Sequence, residues 1–154
     1  VFVLGRNASV CGAIKYTDIN GKVCRLGKTG KPALVGFWIG NCSYSDHALY
    51  LLSAAREKYP ESQLDVTGFY LNDISSAELT RLSNGLRFTV APAQPPVDLV
   101  ASLAKTFKFD APGRALYVVS GKGHIRSVDI SDVTADNGSL LKKIDVAVRI
   151  AMKD

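Results

Sequence analysis

Residues 31–60 read KPALVGFWIGNCSYSDHALYLLSAAREKYP, and the reading of the whole chain works outward from this stretch. Positions 33–39 are apolar throughout, with Lys31-Pro32 before them and Gly40-Asn41 after them. An apolar run without alternation predicts a central strand covered on both faces. Ala48, Leu49, Leu52, Ala55 and Tyr59 then recur at helical spacing, and Pro60 closes the segment. Cys42 falls at the junction. Free N–H groups and the positive end of the helix dipole stabilise a thiolate at such a place. The pattern therefore predicts a reactive cysteine rather than a packing one.

Before this stretch, positions 11–17 and 22–26 flank Asn20-Gly21, the strongest short hairpin signal. After it, 64–71 (LDVTGFYL) predicts a strand. Ser75 and Ser76 predict the cap of a short helix at 77–82, with Glu78 in its first turn. Positions 86–90 predict a strand, and 91–96, with three prolines, a loop. A helix over 97–107, a strand over 115–119, a turn and a returning strand over 124–130 follow. A last helix over 139–152 buries Leu140, Ile144, Ala147 and Ala151, with Leu141 and Val148 beside them. The order hairpin, β, α, β, α, β, α, β, β, α predicts an α/β protein. Its first half is parallel, its second half ends in an antiparallel hairpin, and helices cover a central mixed β-sheet on both faces.

A length of 154 residues predicts one domain, 11–154, preceded by an arm over 1–10 that has no clear pattern. The net charge is +5, from 19 Lys and Arg against 14 Asp and Glu, and the basic residues are scattered. No basic stripe interleaves with aromatics, so no nucleic-acid partner is expected. A weak attraction to acidic partners or anionic lipid headgroups stays open. No apolar run approaches the roughly 18–20 residues of a membrane span. The missing initial Met and signal-like core lead to the expectation of an excised soluble domain whose targeting or anchoring segment has been removed. The three cysteines, Cys11, Cys24 and Cys42, include no Cys-x-x-Cys pair, and His47 and His124 are far apart. That excludes a zinc-type pattern, so no metal and no cofactor are expected. Cys11 and Cys24 could bridge, which would imply an oxidising compartment. Cys24 is expected to face Thr17 across the hairpin, so the bridge is not assured.

The element order, with a cysteine at the first strand-to-helix junction and a proline before the penultimate strand, resembles the thioredoxin fold. More narrowly it resembles the periplasmic TlpA/ResA/CcmG-like thiol-disulfide oxidoreductases, over about 11–152. The stretch 18–26 (DINGKVCRL) is similar to the family's "DGK-x-v-x-L", and 30–38 (GKPALVGFW) to "GKPVLVNFW". Trp38 precedes Cys42 by four residues, as in "FWAxWC". Ala111-Pro112 and the strand and turn after them are similar to "PtxflIDxxGxI". The resemblance implies a redox-active centre in which Cys42 attacks the disulfide of a partner protein. It implies that Pro112 is a cis-proline against that cysteine, and that Ala111 pairs with an extended substrate chain. Ser43, Tyr44 and Trp38 would line the same site. The implied partners bear disulfides or thiols, with a membrane redox partner possible. The implied location is the periplasm or another extracytoplasmic space, with an anchor in the removed N-terminal segment.

The departures are specific. Where the family has Cys-x-x-Cys, this chain has Cys42-Ser43-Tyr44-Ser45, a CxxS motif. The second thiol normally resolves the mixed disulfide by intramolecular exchange, and the alcohol of Ser45 forms no S–S bond. The family's Glu three residues beyond its second cysteine is Ala48 here. Thioredoxin's buried Asp two residues before the matching Trp is Gly36. Asn41 stands where the family has Trp. Tyr44 resembles the "CxYC" of disulfide isomerases and glutaredoxins, which favours a reductase or isomerase type over a strong oxidant. Two origins for Ser45 stay open: an engineered Cys→Ser trap of a Cys-Ser-Tyr-Cys enzyme, or a natural monothiol protein. The alternative function is a catalytically incomplete thioredoxin-like binding or assembly module. A thiol peroxidase is disfavoured, because the Pro and Thr that peroxiredoxins place before their cysteine correspond to Val35 and Ile39. His47 reads as a surface helix residue or a partner of the thiolate, and Asp46 as a helix-start acid.

Overall fold

The computed structural model describes residues 14–27, 29–38, 43–71, 75–92, 97–107, 114–132 and 136–154. Cys11, Cys42, Ala111, Pro112 and the 1–10 arm lie outside these residues. The elements are β1 (Ile14–Thr17), β2 (Val23–Leu26), β3 (Ala33–Trp38), α1 (Ser43–Lys58), β4 (Asp65–Tyr70), α2 (Ser76–Ser83), β5 (Thr89–Pro92), α3 (Val97–Phe107), β6 (Ala115–Val119), β7 (Ile125–Asp129) and α4 (Asn137–Met152). β1 and β2 form the expected antiparallel hairpin. The other five strands form one sheet in the order β5-β4-β3-β6-β7. β3 pairs in parallel with β4, and β4 with β5, while β6 and β7 run antiparallel. The run read as a central strand is therefore central, with a neighbour on each side.

The unbroken apolar character of β3 resolves into two faces. Leu34 joins Val66, Val90, Leu116, Val118 and Val128 against α1, α4 and Leu79 of α2. Ala33, Val35 and Phe37 join Phe69, Tyr117 and Val119 against α3 and the β1–β2 hairpin. Burying one such side chain stabilises by about 1.5–3 kcal/mol, which is why a strand with both faces covered cannot alternate with polar residues. On the second face the rings of Phe37 and Phe69 stack at 5.6 Å, and Phe107 meets Phe37 edge-on at 5.3 Å. Tyr16 reaches the same layer, and its hydroxyl lies 3.1 Å from Thr67 Oγ1 in the interior.

The boundary of one strand differs from the expectation. Strand β5 spans Thr89–Pro92 rather than 86–90, so Pro92 belongs to the sheet and not to the proline loop. The reason lies in the edge position. Val90 O points away from β4 and accepts from Ile19 N at 3.1 Å. Pro92, two residues on, shares that outward side, where its missing N–H removes no ladder bond. A second difference is in the hairpin register. Cys24 faces Tyr16, and Thr17 faces Val23, one step from the expected pairing. The tight turn accounts for the shift: Asp18 N bonds Lys22 O, and Asp18 Oδ1 accepts from the N–H groups of Asn20 and Lys22. Cys24 is a free thiol.

Helix starts follow the polar caps. The Ser75 side chain accepts from Glu78 N at the start of α2, as its spacing predicts. α4 begins two residues earlier than expected, because the Asp136 side chain accepts from Gly138 N. Its buried face holds Leu140, Ile144, Ala147, Val148 and Ala151. Among the described residues, no helix is long and apolar enough to cross a membrane.

Candidate functional site

The central strand positions the candidate site. β3 ends at Trp38, which pairs with Tyr70 of β4. α1 begins at Ser43, so Cys42 immediately precedes the helix in the chain. Ser43, Tyr44 and Ser45 are the first three residues of α1. β6 runs antiparallel to β3, with Ala33 opposite Val119 and Val35 opposite Tyr117. The start of β6, which follows Ala111 and Pro112 in the chain, therefore lies toward the end of β3 that leads to Cys42. The described anchors of both candidate segments stand at one end of the sheet. Cys42, Ala111 and Pro112 themselves lie outside the described residues.

The same end gathers two helix starts. His47 Nε2 lies 2.9 Å from Asn137 Oδ1, tying the second turn of α1 to the first residue of α4. His47 is thus engaged by a neutral amide. The orphan N–H groups of a helix start are the donors that stabilise a nearby anion, and α1 places them directly after position 42.

Beneath the start of α1 the interior is apolar. Ala48, Leu51 and Leu52 are buried against Leu34 and Leu116. Gly36 faces this layer. A methyl group at Gly36 would stand 2.7 Å from Leu52 Cδ1 and 3.0 Å from Leu116 Cδ2, so the space an acid would need is filled by leucine. Ala48, the other position where a proton acceptor is expected, is buried in the same cluster. Thr67 and Ser120 are the buried polar side chains among the described residues, and neither is ionisable at neutral pH. No three His, Cys, Asp or Glu side chains come together among these residues as a metal centre would need.

The second thiol in view, Cys24, lies away from this end, in the hairpin. Its Sγ is 3.6 Å from Lys22 O and 4.0 Å from Asp18 Oδ2. Desolvation and the Asp18 carboxylate push the Cys24 thiol above the usual cysteine value. That environment suits a structural thiol and opposes nucleophilic use. Sequence reasoning placed Cys24 on the hairpin but missed its acidic neighbour. Asp18 six residues earlier, at the turn, was the available signal.

This architecture is a thioredoxin-like fold with an N-terminal hairpin. No family model matches the chain, and no curated protein matches it in sequence. Solved structures do. The thioredoxin domain of a thiol-disulfide oxidoreductase from Bacteroides vulgatus superposes with a TM-score of 0.70 at 18% identity, covering 95% of this chain and 99% of that one. A secreted Mycobacterium tuberculosis disulfide oxidoreductase homologous to E. coli DsbE gives 0.63 at 16% identity, over 86% and 95%. BsSco, a member of the Sco family of cytochrome c oxidase assembly proteins, gives 0.70 at 13% identity, over 98% of each chain. These likenesses carry the fold.

Proposed function

We propose that this chain is a thiol-disulfide exchange protein of the reductase or isomerase type, acting on partner-protein disulfides through Cys42. The observation that carries the reading is the placement of Cys42 in the chain. It directly precedes the first residue of α1, after the central strand of a thioredoxin-like sheet. A thiolate there would attack a partner disulfide. One partner sulfur would bond to Cys42, and the other would leave as a thiolate and take a proton. Ala111 and Pro112 would hold the partner's extended chain, with Ser43, Tyr44 and Trp38 around it. Ser45 would then leave the mixed disulfide unresolved until an outside thiol displaces it. The neighbours whose names describe secreted or interchange proteins support an extracytoplasmic location, and an anchored form in the periplasm remains part of the proposal.

A second reading has its own support. Gly36 and Ala48 offer no proton acceptor, and Leu52 and Leu116 occupy the space that a side chain at 36 would enter. That favours a protein that holds a partner without turnover, in line with the likeness to a cytochrome c oxidase assembly protein. One variant separates the two. On the exchange reading, Ser45→Cys gains turnover on a protein or peptide disulfide. Its rate is limited by resolution, and the wild-type chain accumulates a mixed disulfide at Cys42. If Ser45→Cys shows no turnover and the wild-type chain forms no mixed disulfide, the binding reading stands in its place.

A further inference from the structure

α4 carries more than the face it buries. Among the described residues five large apolar side chains are exposed, and three of them stand on α4: Val146 (42% exposed), Ile150 (37%) and Met152 (38%). Tyr50, 51% exposed, stands on α1, the helix packed beside it. Val146 and Ile150 are one turn apart, outside the buried stripe of Leu140, Ile144, Ala147, Val148 and Ala151. Lys142, Arg149 and Lys153, all exposed, form a stripe along one side of them. Scattered single apolar residues on a surface need no explanation. An exposed aliphatic pair one turn apart, beside a stripe of cations, is a different pattern.

The acids nearby do not neutralise it. Asp145, on the side of α4 toward α1, accepts from the Tyr59 hydroxyl and pairs with Lys58 Nζ at 3.0 Å and Arg149 at 3.0 Å. One carboxylate is thus shared by two cations, and the surplus stays positive. Asp154 is taken up by His124 Nδ1 at 2.6 Å. Between α1 and α4 runs a groove of about 210 Å³ with an apolar floor of Ala54, Ala55, Leu141 and Ile144, and Lys58 and Lys142 line it as well.

We propose that the outer face of α4 docks on an anionic lipid surface. Val146 and Ile150 would enter the headgroup–acyl boundary. Lys142, Arg149 and Lys153 would meet the phosphates, with the long stems of the lysines lying along apolar surface while their ammonium groups stay in water. The charge complementarity selects an anionic surface, and the aliphatic pair selects a membrane over a soluble acidic protein. This docking is independent of the exchange chemistry, because none of its residues belongs to the candidate site.

The test is sedimentation of the intact chain with phosphatidylcholine–phosphatidylglycerol vesicles against pure phosphatidylcholine vesicles, with polyglutamate as the soluble polyanion. Binding is expected to the anionic vesicles and to weaken with salt. Each cation removed from the face should lower partitioning about fivefold, so Lys142→Glu/Lys153→Glu should abolish measurable binding. Val146→Ser/Ile150→Ser should lower vesicle binding about tenfold and leave polyglutamate binding unchanged. These positions are exposed, so the variants keep the fold, which circular dichroism checks. Equal binding to neutral vesicles, or none to anionic ones, overturns the proposal. So does vesicle binding that ignores the Val146/Ile150 change, which would mark the face as one for acidic proteins.

Discussion

Gly36 offers a direct test of how the interior behind the candidate site is closed. Gly36→Ala adds one methyl group at a point 2.7 Å from Leu52 Cδ1 and 3.0 Å from Leu116 Cδ2. Overpacking of this kind costs about 1–3 kcal/mol. Replacing glycine within a strand returns about 0.5–1 kcal/mol of backbone entropy. The expected net loss is about 0.5–2 kcal/mol, a fall of a few degrees in Tm for a domain of this size. Gly36→Asp adds the desolvation of a carboxyl group with no described partner, and should cost several kcal/mol more. Urea unfolding measures both, with the midpoint falling and the slope unchanged. The decisive comparison is a cycle with Leu52→Ala. Alone that change costs about 2–5 kcal/mol through its cavity. Combined with Gly36→Ala it should cost less than the sum by about 1 kcal/mol, because the added methyl enters the vacated space. A stabilising Gly36→Ala, or strict additivity in the cycle, would refute the claim that Leu52 occupies the acid's place.

The two thiols should separate by reactivity. At neutral pH iodoacetamide is expected to label Cys42 well before Cys24, whose thiol is pushed up by desolvation and Asp18. Mass-resolved labelling across pH checks this, and a Cys42 pKa at or above about 8.5 sinks the activated-thiolate claim. Tyr16 supplies a pH dependence. Burial raises its pKa above the ordinary 10.0, so the folded chain holds a proton that the unfolded chain gives up. The stability tied to that proton is complete below pH 10 and is lost as pH rises above it. Unfolding followed at rising alkaline pH should show this loss in the wild type and a smaller one in Tyr16→Phe. The same variant leaves the Thr67 hydroxyl buried without its partner and should cost about 1–3 kcal/mol at neutral pH.

The parts of the fold that were legible in the sequence are those where one local force decides. The bounds of α3 and β6 match the pattern reading, since an apolar face and a turn residue at each end leave few alternatives. β3 was legible as central because it has no polar residue to offer solvent. Strand β5 was misplaced by its proline. Pro92 reads as a breaker, and only the position of β5 at the sheet edge makes it acceptable. Cys24 was set opposite the wrong partner because a one-residue shift in a short hairpin changes no apolar count that a sequence reader can see. At the candidate site, the cysteine-to-helix spacing was legible, since α1 starts at the residue after Cys42. The leucine filling at Gly36 was not, because it joins residues from three elements.

Those closed positions bear on Ser45. Disulfide exchange has two halves with different needs. The first needs a thiolate, which the start of a helix can stabilise with no acid or base in the interior. The second needs a further thiol and a group to take its proton. In the resembled family the positions serving that second half correspond to 45 and 48 here, and the buried Asp of thioredoxin itself corresponds to 36. The chain has Ser, Ala and Gly there, and the structure fills the interior around 36 and 48 with Leu34, Leu52 and Leu116. An engineered Cys→Ser change would account for position 45 alone. It would not account for glycine at 36 and alanine at 48, where leucine side chains pack the interior. These three departures fall on the resolving half of the cycle, and a fourth, Asn41 in place of Trp, stands beside Cys42. A natural monothiol protein, in which Cys42 captures a partner and an outside thiol sets it free, predicts a serine codon at position 45 of the source gene, and a cysteine codon there refutes it.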